Sequence, residues 1–145
     1  MELNIYTDGG ARGNPGPAGF GFVIYGSHQK ILVKCYQFLG TKTNNEAEYL
    51  GLISALNWLR ENQNKYQISA VNFNSDSELL IRQITGVYKV KAPHLKDLYL
   101  TAYRLFSALP FPIKFHHVFR ESNDLADKLA NMAMDGHQNS CLVFD

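Results

Sequence analysis

Apolar and polar side chains alternate in three runs over the first forty residues of the chain. The runs cover residues 3–7, 20–25 and 31–39, and clusters of glycine, proline, serine and histidine separate them. Alternation with β-branched and aromatic residues is typical of strands. Short turns between such runs favour an antiparallel meander.

From Glu46 the apolar residues recur at the spacing of a helix, which predicts a long amphipathic helix that ends near Asn62. The apolar positions are Tyr49, Leu52, Ile53, Leu56 and Leu59. Alternation returns over residues 68–74 and predicts a fourth strand. Ser75 and Glu78 then have the spacing of a capping box for a short helix.

Two prolines bound the next helix, which begins at Pro93 and ends before Pro110. Residues 113–119 predict the last strand, and Ser122 or Asn123 caps a final helix. The element order β-β-β-α-β-α-α-β-α predicts a mixed α/β fold. Its fourth and fifth strands join the first in parallel through helical crossovers.

Composition narrows the class of protein. The 145 residues carry 14 basic and 13 acidic side chains, and 46% of them are hydrophobic. This balance excludes an intrinsically disordered chain and a globally polybasic nucleic-acid binder. The length predicts one domain over residues 1–145, with a core over 1–136. The tail over 137–145 is read either as a docked edge strand or as a frayed terminus.

Location and cysteine chemistry follow from simple features. No apolar run approaches the length of a membrane span, and the first residues lack a signal-peptide layout, which predicts a soluble cytoplasmic protein. Cys35 and Cys141 are distant in sequence and suit neither a disulfide framework nor a zinc site. We therefore expect two small apolar side chains in a reducing compartment.

Four acids are candidates for one site. Asp8 and Asp76 each directly follow a predicted strand, and parallel neighbouring strands would bring them to the same edge of the sheet. Glu48 and Asp127 flank the apolar stripes of two helices. Oxygen ligands without cysteine suit Mg²⁺ or Mn²⁺, and two such ions support phosphodiester hydrolysis. Acids near helix starts can alternatively complement the helix dipole.

Several motifs in order resemble type 1 ribonuclease H over nearly the whole chain. They are YTDGG at 6–10, GNPGPAG at 13–19, TNNEAE at 43–48, SDS at 75–77, and Asn123 with ADKLAN at 126–131. The resemblance implies a ribonuclease H-like fold with a five-stranded mixed sheet and helices on both faces. It also implies endonucleolytic hydrolysis of the RNA strand of RNA/DNA hybrids with two Mg²⁺ ions, or Mn²⁺ as a substitute, leaving 5′-phosphates.

Carried over residue by residue, the family's catalytic and metal-binding acids fall on Asp8, Glu48, Asp76 and Asp127. The family pattern selects Glu48 over Glu46 and Asp127 over Asp124. The implied substrate contacts are Gly9, Gly10, Asn14, Thr43, Asn44, Asn45 and Asn123. The same residues also suit a hairpin connection and a helix cap.

The sequence departs from many family members in two places. Residues 86–93 pass straight into the next helix, so we expect the shorter branch of the family, without a basic protrusion. Lys89 and Lys91 belong to a stretch from Arg82 to Arg104 with five basic residues and one acid, a net charge of +4, and are predicted to bind DNA phosphates. The loop before the last acid has no histidine. Arg120 is the candidate phosphate contact there, whereas His116 and His117 fall in the last strand.

Three functions remain open at this stage. The first is a hybrid-specific ribonuclease, the second a broader nuclease that also cuts double-stranded RNA, and the third a hybrid-binding module without activity. The presence of all four acids argues against the third. We expect a monomer whose partner is the hybrid, with no membrane and no small-molecule cofactor.

Overall fold

In the computed structural model, which describes residues 1–144, strands and helices alternate along the chain much as the sequence predicts. The elements in chain order are β1 (Glu2–Ala11), β2 (Gly16–Tyr25), β3 (Ile31–Lys42), α1 (Asn44–Tyr66), β4 (Ala70–Ser75), α2 (Glu78–Ile84), α3 (Pro93–Ser107), β5 (Ile113–His117), α4 (Asp124–Gly136) and β6 (Ser140–Val143). Short 3₁₀ turns cover Ser27–Gln29 and Arg120–Asn123.

The strands form one mixed sheet in the order β5-β4-β1-β2-β3-β6. β1 pairs antiparallel with β2 and parallel with β4, and β4 pairs parallel with β5, so the predicted topology is confirmed. Helices cover both faces. Helices α1 and α3 pack on the face that carries Leu3, Ile5 and Phe73, which are fully buried. Helix α4 lies against β2 and β3 on the other face.

Two local predictions need correction. The glycine and proline run over 16–19 is paired strand and not loop, because β2 begins at Gly16 opposite Lys42. Ser75 is not the cap of α2: its Oγ accepts from the backbone N–H of Ser77, and Ser77 Oγ accepts from Leu80. Within residues 1–144, we find no helix with the length and apolarity that a membrane crossing requires.

The tail is a docked edge strand, so the sheet has six strands and not five. β6 pairs antiparallel with β3, and Cys35 stands opposite Cys141 in that pairing. The two cysteines form a disulfide bond, which makes the expectation of two free thiols wrong. The two cysteines are 106 residues apart in sequence and meet because β6 pairs with β3. Asp145 lies outside the described residues.

Reduction of this disulfide is expected to lower the free energy of unfolding by about 2–5 kcal/mol, because the bond restricts the unfolded chain over a loop of 106 residues. Chemical denaturation with and without a reducing agent measures the difference. The double variant Cys35→Ser/Cys141→Ser is the control and should not respond to the reductant. Equal denaturation midpoints for the wild-type chain in both conditions would contradict the expectation.

Candidate active site

Asp8 and Asp76 meet because they lie at matching positions of two parallel strands. The pairing of β1 with β4 ends with Thr7 opposite Ser75, and one acid follows each of these residues. Asp8 lies inside β1 opposite Gly21 of β2, whereas Asp76 directly follows β4 at the carboxyl edge of that strand, where α/β proteins bind ligands. The sheet register therefore brings the two carboxylates together.

Glu48 reaches the same edge because α1 lies directly against β1. A Cβ atom on Gly9 would lie 2.6 Å from the backbone carbon of Ala47 and 2.7 Å from the backbone nitrogen of Glu48. Only glycine leaves room for this contact. The Glu48 side chain is 8% exposed and faces the acids of β1 and β4.

Asp127 approaches from the opposite face of the sheet on α4. Gly21 of β2 allows the approach, because a Cβ there would lie 2.8 Å from the carbonyl oxygen of Ala126 and 2.7 Å from the nitrogen of Ala130. Asp127 lies close enough to Asp8 that hydrogen bonding and charge repulsion between the two carboxyls raise the pKa of Asp8. Its Oδ2 also accepts a long bond of 3.4 Å from the amide of Asn131.

The inner three acids have the arrangement of a cation site. Asp8, Glu48 and Asp76 each offer a carboxylate oxygen within 4.8 Å of the others. Glu48 Oε2 and Asp76 Oδ2 are buried and have no hydrogen-bond donor among the described residues. Buried carboxylate oxygens are costly without a compensating charge. The set therefore fits a hard divalent cation such as Mg²⁺.

The acids lie at the base of an open cleft of about 710 Å³. Burial, followed by the charge of Asp76 and the hydrogen bond with Asp127, raises the pKa of Asp8 to about 8. Burial, together with the charges of Asp8 and Asp76, holds the pKa of Glu48 well above its usual range. The cluster thus binds protons at neutral pH when nothing else neutralises it.

This proton binding predicts how stability depends on pH. An acid with a raised pKa in the folded state stabilises the fold at low pH, and that contribution is lost as the pH rises through the folded-state pKa. In chelator, the melting temperature should therefore fall between about pH 4 and about pH 8.

Thermal unfolding across this pH range tests the expectation. The control is Asp8→Asn, whose melting temperature should depend less on pH. Addition of Mg²⁺ to the wild type at pH 8 should raise its melting temperature again. Identical pH profiles for the wild type and Asp8→Asn would contradict the charge coupling.

Comparisons with known proteins agree with this geometry. The family model described as "Reverse transcriptase-like" matches residues 6–133. The structure of RNase H1 from Halobacterium salinarum is 34% identical, covers 94% of this chain and 99% of that chain, and superposes with a TM-score of 0.84. LC11-RNase H1 in complex with an RNA/DNA hybrid is 43% identical, with 93% and 98% of the two chains covered and a TM-score of 0.86.

The chain belongs to the type 1 ribonuclease H family. The bifunctional protein Rv2228c of Mycobacterium tuberculosis is 41% identical over 141 residues, which are 97% of this chain and 37% of the relative. The chain thus spans little more than a third of the mycobacterial relatives that it matches.

Four of the predicted substrate contacts line the ribonuclease H cleft beside the acids: Gly9, Gly10, Asn44 and Asn45. Asn44 also holds the two sides of the cleft together. Its Oδ1 accepts from the N–H of Ala11 at 2.8 Å, and its own N–H donates to Asn14 Oδ1 at 3.0 Å. Asn14 thus supports the cleft from outside its lining.

Thr43 is the N-terminal cap of α1. Thr43 Oγ1 accepts from the N–H of Glu46, and Glu46 Oε1 accepts from the N–H of Thr43, which completes a capping box. The hydrogen bond from the Thr43 backbone lowers the pKa of Glu46. Glu46 therefore has a local partner and stays apart from the three clustered acids.

The predicted phosphate contacts are all exposed. Lys89 and Lys91 lie in the connection between α2 and α3, which is only residues 85–92 and contains no protrusion. Arg120 lines the cleft with 86% of its side chain exposed, and its Nε lies 3.9 Å from Asp76 Oδ2. This distance is that of a loose ion pair, so the guanidinium is available to substrate.

Asn123, another predicted substrate contact, is buried beneath the surface. It is 1% exposed, and its amide Nδ2 donates to the carbonyl oxygen of Thr7 at 2.8 Å. His116 and His117 lie in different surroundings, as the alternation of β5 predicts. His117 lines the cleft, whereas His116 Nε2 lies 3.1 Å from Asn72 Oδ1.

Two cleft residues were missed by the sequence analysis. Asn131 lies one helical turn after Asp127 and contacts its carboxylate, and this i,i+4 spacing was an available signal. Phe119 lies at the cleft with 75% of its surface exposed, and its ring contacts His117. No periodicity distinguishes an aromatic residue in a loop from one in the core.

Proposed function

We propose that the protein is an endonuclease that hydrolyses the RNA strand of RNA/DNA hybrids with two divalent metal ions. The observation that carries the proposal is the group Asp8, Glu48 and Asp76, whose carboxylate oxygens lie within 4.8 Å of one another at the base of an open cleft. The hybrid in the complex of LC11-RNase H1 supports the choice of substrate.

The chain's residues have separate tasks in this mechanism. Asp8, Glu48 and Asp76 hold the metal, with Asp127 beside Asp8. When bound, Mg²⁺ or Mn²⁺ activates a water molecule and stabilises the leaving oxygen, which yields 5′-phosphate and 3′-hydroxyl ends. One oxygen each of Glu48 and Asp76 has no hydrogen-bond donor among the described residues and would be free to bind the cation. This pre-organisation avoids the cost of rearranging the site during reaction.

Recognition of the hybrid is assigned to the cleft wall next to the acids. Gly9, Gly10, Asn44 and Asn45 line the cleft. The two glycines would let the backbone approach the duplex, and the two asparagine amides would contact its shallow minor groove. A minor groove that displays 2′-hydroxyl groups distinguishes RNA from DNA without reading sequence.

Cleavage of end-labelled substrates tests the proposal. The substrates are an RNA/DNA hybrid, duplex RNA, duplex DNA and single-stranded RNA, each with Mg²⁺, with Mn²⁺ and with chelator. We expect metal-dependent cutting of RNA in the hybrid. Cutting of duplex RNA as well would make the enzyme a broader nuclease for A-form duplexes. Hybrid binding without any cleavage would overturn the proposal in favour of a binding module.

Lys89→Ala/Lys91→Ala is expected to weaken hybrid binding and reduce its dependence on salt. Each phosphate contact that is lost should lower the slope of log Kd against log salt by about 1. Lys30→Ala is the control, because Lys30 is exposed in the β2–β3 turn, at the far end of β2 from the acids. An unchanged slope in the double variant would remove both lysines from the interface.

We also propose that the protein acts as a cytoplasmic monomer without a small-molecule cofactor. All four acids come from one chain, in β1, in α1, directly after β4 and in α4, so a second copy is not needed to complete the site. Sedimentation analysis with and without hybrid tests the oligomeric state.

A further inference from the structure

Asn123 is buried between the elements that carry Asp8 and Asp127. Its amide Nδ2 donates a hydrogen bond of 2.8 Å to the carbonyl oxygen of Thr7. Thr7 directly precedes Asp8 in β1, and Asn123 directly precedes the first residue of α4. The bond therefore joins the strand of one acid to the helix of another, across 116 residues of sequence.

This bond lies at the last residue pair between β1 and β4. The pairing of the two strands ends at Thr7 and Ser75. An asparagine at the start of a helix ordinarily accepts from a backbone N–H of its first turn. Asn123 makes no such bond. Its side chain is hydrogen-bonded to β1 and does not cap α4.

The arrangement has a cost that an ordinary packing residue would avoid. Asn123 is 1% exposed, and its Oδ1 has no hydrogen-bond partner among the described residues. A buried carbonyl oxygen without a donor lowers stability. The amide thus ties β1 to the start of α4 while its own oxygen stays without a donor, directly beside the place where Asp127 approaches Asp8.

The Asp127 carboxylate itself accepts a 3.4 Å bond from the amide of Asn131, which is long for a hydrogen bond and holds the carboxylate only weakly. Asp127 is one helical turn beyond Asn123. We propose that Asn123 is a positioning residue that sets the separation of Asp127 from Asp8 and thereby the geometry of the metal site, an inference that rests on the proposed function.

Metal binding and kinetics of Asn123→Ala test the inference. Calorimetric titration with Mn²⁺, without nucleic acid, should show an affinity about 3–10-fold weaker than that of the wild type. On the hybrid, kcat should fall by about 10–100-fold, because small displacements of reacting groups cost rate, while KM stays within about twofold. Asn123→Ser replaces this variant if it does not fold.

Asn62→Ala is the matched control. Asn62 is partly buried and its amide also donates to a backbone carbonyl, that of Trp58 at 2.9 Å, but the bond stays within α1. This variant should change the melting temperature without changing kcat or Mn²⁺ affinity.

Two results for Asn123→Ala would overturn the inference. A raised KM with unchanged kcat and Mn²⁺ affinity would make Asn123 a substrate contact. A lower melting temperature with wild-type kcat and Mn²⁺ affinity would make it a structural residue alone. If the wild type cleaves no hybrid, the proposed function fails, and the Mn²⁺ titration still decides the positioning role.

Discussion

Asp8→Asn is expected to reduce metal-dependent cleavage of the hybrid by at least about a thousandfold while the protein stays folded. Asp8 belongs to the group of three acids and lies beside Asp127, so the substitution removes a proposed metal ligand at the centre of the site. Asp76→Asn should have the same effect, because Asp76 Oδ2 is, with Glu48 Oε2, a buried carboxylate oxygen without a hydrogen-bond donor among the described residues.

The fold should tolerate both changes. The charge of Asp76 helps to raise the pKa of Asp8 to about 8, so loss of one charge relieves repulsion at pH 8. Single-turnover cleavage and thermal unfolding of the same preparations separate activity from stability. Hybrid binding should persist in both variants. Retained turnover in Asp8→Asn or Asp76→Asn would contradict the metal mechanism.

The second large effect is expected for Glu48→Gln, which should lose activity by about a thousandfold. Glu48 is 8% exposed and faces Asp8 and Asp76 with an oxygen that has no donor. A neutral amide in its place contributes no negative charge and presents an N–H₂ group to the cation or to the neighbouring acids.

Glu46→Gln is a close control, two residues away on the same helix. Glu46 accepts from the N–H of Thr43 at 2.9 Å in the capping box, and its pKa is lowered mainly by this bond. A glutamine oxygen can still accept there, so we expect a cost of less than about 1 kcal/mol in stability and wild-type kcat. Cleavage rates and melting temperatures of both variants check the contrast. The reverse order of effects would mean that Glu46, and not Glu48, holds the metal.

Much of the site follows from local spacing in the sequence. An acid after each of two alternating runs, joined by a helical crossover, predicts parallel neighbouring strands, and the pairing of Thr7 with Ser75 confirms this, although β1 itself continues past Asp8 to Ala11. The apolar stripe of α1 likewise predicts that Glu48 faces inward, and the structure agrees. Such features depend on the periods of helix and strand, which the sequence displays directly.

Other features escaped because they depend on distant partners. The four residues of β6 are too few to show a period, and their pairing with β3 requires that α4 first returns the chain to that edge of the sheet. The disulfide between Cys35 and Cys141 follows from the same return. The cap of α2 moved from Ser75 to Ser77 because β4 continues through Ser75.

The sequence by itself determined which acids exist, in what order, and on which kind of element each stands. Only the tertiary structure decided their distances, since Glu48 approaches through the missing side chain of Gly9 and Asp127 through that of Gly21. It also decided that the Asn123 amide is buried and donates to the carbonyl oxygen of Thr7. The spacing of residues along the sequence reflects only local geometry, whereas the distances between the acids depend on how closely the helices pack against the sheet.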